Sequence, residues 1–270
     1  MVVKERDGII MSKKKKMNFN IDKAIIKDYI DTFYKLYHMR NEKNLDLYEM
    51  FSPSIKEIHN KINEFSDMYP KQKGNIYTDI IKQLININNG ILLTSMLEPL
   101  NISRNYLSIL EKNNEIERVS RGIYVSSNIF EDSYYTFQQK YKKAIFSHMN
   151  ALYFYDLTEE FPHNYTITVP RGYHVDKLNK SCNIFYVSKD IYKLGLIETK
   201  TPSGNIVKAY DIERCICDII NAKGRMDFEQ VKKVIKKYLE RPDRDIVKLQ
   251  EYAKKMNINN KVMRMVGYYE

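Results

Sequence analysis

The chain has 270 residues, of which 43% are hydrophobic, and a formal net charge of +10 from 44 Lys and Arg against 34 Asp and Glu. Such apolar content and length support two or three folded domains and exclude a disordered chain. Three cysteines, Cys182, Cys215 and Cys217, exclude a fully paired disulfide framework, and no apolar run nears the roughly 20 residues of a membrane span.

A positive balance favours polyanionic partners. The odd thiol count and the lack of an apolar signal-peptide core point to reduced cysteines in a cytoplasmic protein with no membrane partner. The first 16 residues end in Lys13-Lys14-Lys15-Lys16, a run whose self-repulsion predicts a loose tail. Over 21–37, Ile21, Ile25, Tyr29, Ile30, Phe33 and Tyr37 recur at helical spacing. After Ser52-Pro53, a cap and first helical position, Ile55, Ile58, Ile62, Phe65 and Tyr69 follow the rhythm of a helix seam. The two segments predict a helical hairpin, for dimerisation or for packing on the next domain. The Pro, Gly and charge of "YPKQKG" mark a boundary near 74.

Beyond it, Ile76, Ile80 and Leu84 predict a helix ended by Gly90, then a short strand, Ile91-Leu92-Leu93. Ser95 and Glu98 have capping-box spacing, but Pro99 requires the helix that follows to be short or distorted. In "NISRNYLSILEKNNEIERVSRGIYV", residues 101–125, Ser103 is placed as an N-cap and Ile102 can pack on Leu107. Leu107 and Leu110, with Tyr106, share one helix face and leave Arg104, Asn105, Ser108 and Lys112 on the other. After Asn113-Asn114, two β-favouring runs joined by Ser120-Arg121-Gly122 predict a hairpin with Arg118 and Arg121 near its tip. This order of elements predicts a winged helix-turn-helix, whose second helix suits a DNA major groove and whose wing suits phosphates. Arg104 and Asn105 are the expected base readers; Ser103, Ser108, Lys112, Arg118, Ser120 and Arg121 are the expected phosphate contacts. A winged helix used only for protein contact is the competing reading.

Residues 129–270 predict a mixed α/β domain: a helical run to Leu157, strands at "YTITV", "NIFYV" and "IVKAY", and amphipathic helices beginning near Asp211, Asp227 and Asp243. Arg214 and Asp218, four apart, can form an internal ion pair, whereas Glu213 and Asp218 do not share a face. His148 has no nucleophile or carboxylate at a recognisable spacing and reads as a structural histidine.

Several ordered segments resemble the AbiEi-type antitoxins of type IV toxin-antitoxin systems. The similarity runs from about residue 90 through "ISRNYLSILEKNNEIERVSRGIYV", "KAIFSHMNALYFYDLTEEFP", "YTITVPRGYHV", "KLGLIET" and "VKAYDIERCICDII". Residues 1–74 fall outside it, and Pro99 departs from its pattern. The resemblance implies a transcriptional autorepressor that binds inverted repeats in its own promoter. It also implies that the C-terminal domain opposes a nucleotidyltransferase toxin, a stable complex not being required. Arg171, Arg214 and Asp218 match positions of the family pattern and become antitoxin-domain candidates.

The expectation is therefore an α+β protein: a helical extension over 1–74, a winged helix-turn-helix over 75–128 and a mixed α/β domain over 129–270. Its partner is double-stranded DNA, bound as a homodimer or cooperatively, and no cofactor, metal or catalytic residue is expected. Two rivals come from other classes. Asp190 with Glu198-Thr199-Lys200 imitates a metal-dependent, restriction-like nuclease, although an E-x-K triplet arises readily in so Lys-rich a chain, and "TPSGN" after it suggests a turn. A non-catalytic interaction adaptor is the other. No Walker-type loop, H-E-x-x-H or zinc spacing occurs.

Overall fold

The computed structural model describes residues 73–173, 182–222 and 224–269, with scattered positions within 27–32 and 57–68. They form a mixed α+β chain of two compact units, Met1–Glu131 and Asp132–Glu270. The expected basic tail lies outside the described residues, as do most positions of the two expected N-terminal helices; of those described, Ile30 and Ile62 are helical and fully buried.

In the first unit, helix α1 (Lys73–Ile87) buries Ile76, Ile80, Ile81 and Leu84, a stripe at three-and-four spacing. It stops where Asn89 and Gly90 take positive φ, 50° and 83°, and the Gly90 N–H donates back to the Ile85 carbonyl at 2.7 Å. Strand β1 (Ile91–Leu93) follows, buried throughout. The short helix expected near Ser95 is a single 3-10 turn, Thr94–Met96. A longer helix would need the amide that Pro99 lacks. Helix α2 (Asn105–Lys112) then buries Leu107 and Leu110. It ends at the Asn-Asn break: Asn114 takes φ 54°, and the Glu115 N–H reaches the Leu110 carbonyl at 2.9 Å. Strands β2 (Ile116–Ser120) and β3 (Ile123–Ser126) form the hairpin, and β1 pairs antiparallel with β3 to give the order β1-β3-β2.

The second unit opens on Asp132, which caps α3 (Ser133–Lys140). One carboxylate oxygen accepts the Tyr134 and Tyr135 amides at 3.1 Å. The other accepts the Thr201 hydroxyl at 2.5 Å and the Asn205 amide at 2.9 Å. Strands β4 (Ile145–Phe146), β5 (Tyr165–Pro170), β6 (Cys182–Val187), β7 (Leu196–Lys200) and β8 (Ile206–Tyr210) make one sheet of order β6-β5-β4-β8-β7. The β5-β6 and β4-β8 pairs are parallel; β4-β5 and β7-β8 are antiparallel. The turn expected at "TPSGN" joins β7 to β8, and the preceding Glu198-Thr199-Lys200 belongs to β7 itself.

The further helices are α4 (His148–Phe154) and α5 (Lys189–Tyr192), which pack on β5, and α6 (Ile212–Asn221), on which α4, α7 (Phe228–Leu239), α8 (Ile246–Lys255) and α9 (Asn259–Gly267) pack. Asp211 and Asp227 cap α6 and α7 as expected, each accepting a backbone amide at 2.9 Å. The helix expected near Asp243 begins at Ile246 and is capped by Asp245, which accepts the Lys248 amide at 2.9 Å, while Asp243 holds the Arg241 guanidinium with two bonds of 2.9 and 2.8 Å.

Gly122 decides whether the first unit's hairpin closes. Its φ is 79°, its carbonyl accepts the Thr94 amide at 2.9 Å, and a Cβ there would lie 2.9 Å from the Thr94 hydroxyl oxygen. Gly122→Ala is expected to cost about 1–2 kcal/mol from the left-handed backbone alone. Urea denaturation gives the magnitude, and faster hydrogen exchange confined to β2 and β3 identifies the hairpin as the element loosened.

Candidate nucleic-acid interface

The sequence-predicted residues of the first unit fall on one helix and one hairpin. The Ser103 hydroxyl accepts the Asn105 amide at 3.3 Å, so it serves one of the free donors at the start of α2 although the helix is counted from Asn105. Ile102 and Leu107, the two ends of the expected staple, are both buried. Ser103, Arg104, Asn105, Ser108 and Lys112 are exposed, and so is Ile109, whose face the sequence left open. Tyr106 is half-buried, its ring 5.1 Å from that of Tyr77.

On the hairpin, Arg118 and Arg121 are exposed and Ser120 is half-buried. A register shift between Arg118 and Ser120 accommodates one extra residue, Val119, and Arg121-Gly122 forms the turn. Among the described residues, Lys112, Arg118 and Arg121 have no ion pair, so their charges face solvent uncompensated.

Arg104 differs. Its Nη2 lies 2.6 Å from Glu98 Oε1, with both side chains largely exposed. Such an exposed pair contributes about 0–1 kcal/mol, so Glu98 orients Arg104 without locking it away from a competing acceptor. Sequence reasoning missed Glu98 because its capping-box spacing pointed to Ser95, whereas the pairing crosses the turn between the 3-10 segment and α2. It also missed Lys82, which meets Glu115 at 2.5 Å and holds that carboxyl below its ordinary value, chiefly by a side-chain hydrogen bond.

In the second unit the structure brings Arg214 and Asp218 together and leaves Arg171 apart. Arg214 is fully buried, with Nε 3.0 Å from Asp218 Oδ1. Its Nη1 donates to the Ile191 and Leu194 carbonyls at 2.7 and 2.8 Å, and its guanidinium lies 4.1 Å from the centre of the Tyr210 ring. Burial raises the Asp218 carboxyl to about 6, although the neighbouring guanidinium pulls it down. Arg171 is exposed in the turn after β5, tied by its backbone amide to the Val187 carbonyl at 2.8 Å.

His148 is buried at φ 52°, stacked on Phe185 at 3.7 Å, with Nδ1 2.9 Å from the Ser147 hydroxyl. Burial first, and then the charges of Arg214 and Arg225, lower its pKa to about 3, so the ring is neutral near pH 7. Cys182, Cys215 and Cys217 are all buried, and burial pushes the Cys215 thiol well above its ordinary value.

The nuclease constellation places Asp190 on α5 and Glu198 and Lys200 on β7, all exposed. Among the described residues no group of three His, Cys, Asp or Glu could hold a metal ion. None of their helices is long and apolar enough to cross a membrane.

A family model described as "Transcriptional regulator, AbiEi antitoxin" matches residues 79–127. The match begins inside α1, takes in β1, the 3-10 turn and α2, and ends just past β3. No curated protein matches the chain.

The Arg214 site generates a stability prediction. Arg214→Met leaves the Asp218 carboxylate buried without its partner and is expected to cost about 3–5 kcal/mol at neutral pH. The double variant Arg214→Met/Asp218→Leu should regain most of that loss in guanidinium denaturation. An equal loss in both variants would assign the energy to the two carbonyl contacts instead.

Proposed function

We propose that the chain is a type IV antitoxin and transcriptional autorepressor, a reading supported by the match of residues 79–127 to the AbiEi-antitoxin regulator model. Its first unit acts as a winged helix-turn-helix: α2 enters the major groove, and the β2-β3 hairpin serves as a wing against phosphates or the adjacent minor groove. The observation that carries this reading is the exposure of Asn105, Ser108 and Lys112 on α2 together with Arg118 and Arg121 on the hairpin, over a buried Leu107-Leu110 face. A helix with that division has an apolar side committed to its own core and a donor-rich side for a partner. Uncompensated cations at Lys112, Arg118 and Arg121 make that partner a polyanion.

In this reading Arg104 and Asn105 approach base edges, Arg104 by exchanging its exposed Glu98 contact for a base acceptor. Ser103, Ser108, Lys112, Arg118, Ser120 and Arg121 contact phosphates and fix the register of the domain on the duplex. The operator is a pair of inverted repeats upstream of the chain's own gene, occupied by a homodimer or cooperatively. The second unit, which lies outside the matched segment, opposes a nucleotidyltransferase toxin without a stable complex being required. The protein works as a cytoplasmic regulator and not as an enzyme. Arg171 is the exposed candidate on the antitoxin domain, while Arg214 and Asp218 support it from within.

Footprinting of the purified protein on the DNA upstream of its gene, at physiological salt with non-specific competitor and no added metal, tests the proposal. A protected pair of inverted half-sites is expected, and uniform non-protection would reject it in favour of a partner-binding module. Arg121→Ala should weaken binding to every duplex and lower the salt slope by about one phosphate contact. Asn105→Ala should chiefly relax preference at one base pair, by about 1–3 kcal/mol. Equal effects of the two changes on operator and random DNA would overturn the division of roles.

A further inference from the structure

The last helix of the second unit carries a side-chain set that the repressor reading does not use. Lys261, Arg264 and Tyr268 stand three and four residues apart over the end of α9, so they share one face. The opposite wall comes from the start of α7, where Phe228 and Lys232 are also four apart. With Tyr269, these residues line a groove of about 600 Å³. That is a small-ligand volume, within the roughly 300–1,000 Å³ typical of such sites.

The groove offers planar rings and free positive charge side by side. Phe228 is 57% exposed and has the Lys232 ammonium 4.6 Å from its centre; Tyr269 has Lys236 at 5.5 Å. Tyr268 and Tyr269 meet in a T-shaped contact, at 4.9 Å and 87°, and Tyr268 is 79% exposed, which leaves at least one face of its ring available for stacking. Lys232 is engaged by Glu229 at 2.7 Å, whereas Lys261 and Arg264 have no ion pair among the described residues. A ligand that matches both features needs an aromatic ring system and, within a few ångströms of it, an anion of more than one charge. An aliphatic acid lacks the first and a simple aromatic lacks the second.

We propose that this groove binds a free nucleoside phosphate, its base stacked on Tyr268 and its phosphates held by Lys261 and Arg264. A volume of about 600 Å³ is enough for a mononucleotide, and a single-stranded oligonucleotide is the alternative that the titration separates. The site would give the second unit a small-molecule input separate from the α2-hairpin surface, and it stands whether or not that surface binds an operator.

Isothermal titration of the full-length protein tests the assignment, with ATP, UTP, inorganic triphosphate and a ten-nucleotide single strand as separate probes. Both nucleotides are expected to bind at least tenfold tighter than inorganic triphosphate. Tyr268→Ala and Lys261→Glu are each expected to weaken nucleotide binding at least tenfold while leaving the melting temperature unchanged, since both side chains are exposed. Binding of triphosphate as tight as that of ATP would reduce the groove to a cation patch and overturn the proposal. Binding of the single strand alone would replace it with a nucleic-acid track, and no binding by either nucleotide, or indifference to Tyr268→Ala, would also overturn it.

Discussion

The second unit depends on keeping one charged group out of water. Helix α6 is buried from Glu213 to Ile220, so its polar side chains must find partners inside the protein. Arg214 does so with a carboxylate, two carbonyls and an aromatic face. The carbonyls belong to Ile191 and Leu194, so the guanidinium pins α5 and the chain leading into β7 against α6. Gly195 completes that approach: its φ is 71°, and a Cβ there would lie 2.7 Å from Arg214 Cβ. Asp211 is shared in the same way, capping α6 while accepting the Tyr252 hydroxyl and the Lys248 ammonium of α8, each at 3.0 Å. Burial opposes the Lys248 charge, but Asp211 and Glu213 together hold its pKa above the ordinary value.

Buried charge of this kind specifies geometry more than it adds stability. The bonds of Arg214 to Asp218, Ile191 and Leu194 tie α6 to one placement against α5 and β7. Two of its neighbourhood's atoms, Arg214 Nη2 and Asp218 Oδ2, have no hydrogen-bond partner among the described residues, which adds to the cost of the arrangement. His148 lies close enough for the Arg214 charge to be felt at its ring, and a neutral stacked imidazole is the state compatible with that field.

The first unit solves a different problem with fewer residues. Among the described residues of that unit, backbone devices set the element ends: the left-handed Asn89-Gly90 and Asn114 stops and the close fit of Gly122 on Thr94. The Thr94-Gly122 contact joins the 3-10 turn to the hairpin tip and thereby fixes where Arg121 stands relative to β1. What these devices leave outside is the candidate interface. Asn105, Ser108, Lys112, Arg118 and Arg121 need no partner within the unit, so they remain free to meet one beyond it.

The sequence by itself determined the elements whose cause is local. Apolar spacing fixed α1 and α2, Asn-Asn and Gly90 fixed their ends, and the caps at Asp211 and Asp227 fixed the starts of α6 and α7, because each of these signals acts within a turn or two of chain. It also exposed the donors of the candidate interface, since burying Leu107 and Leu110 leaves their side of α2 outside. Only the tertiary structure decided what depends on distant partners. Strand β4 has two residues and no periodicity to read, and it exists because β5 and β8 flank it. Strand β7 is assigned by its pairing with β8, since Glu198 and Lys200 look solvated from sequence. Arg241 took Asp243 as its partner two residues along, and Glu98 became the partner of Arg104 across a turn. Long-range contacts choose among such local options because a side chain bonds to whichever partner folding brings near, and sequence spacing measures separation along the chain alone.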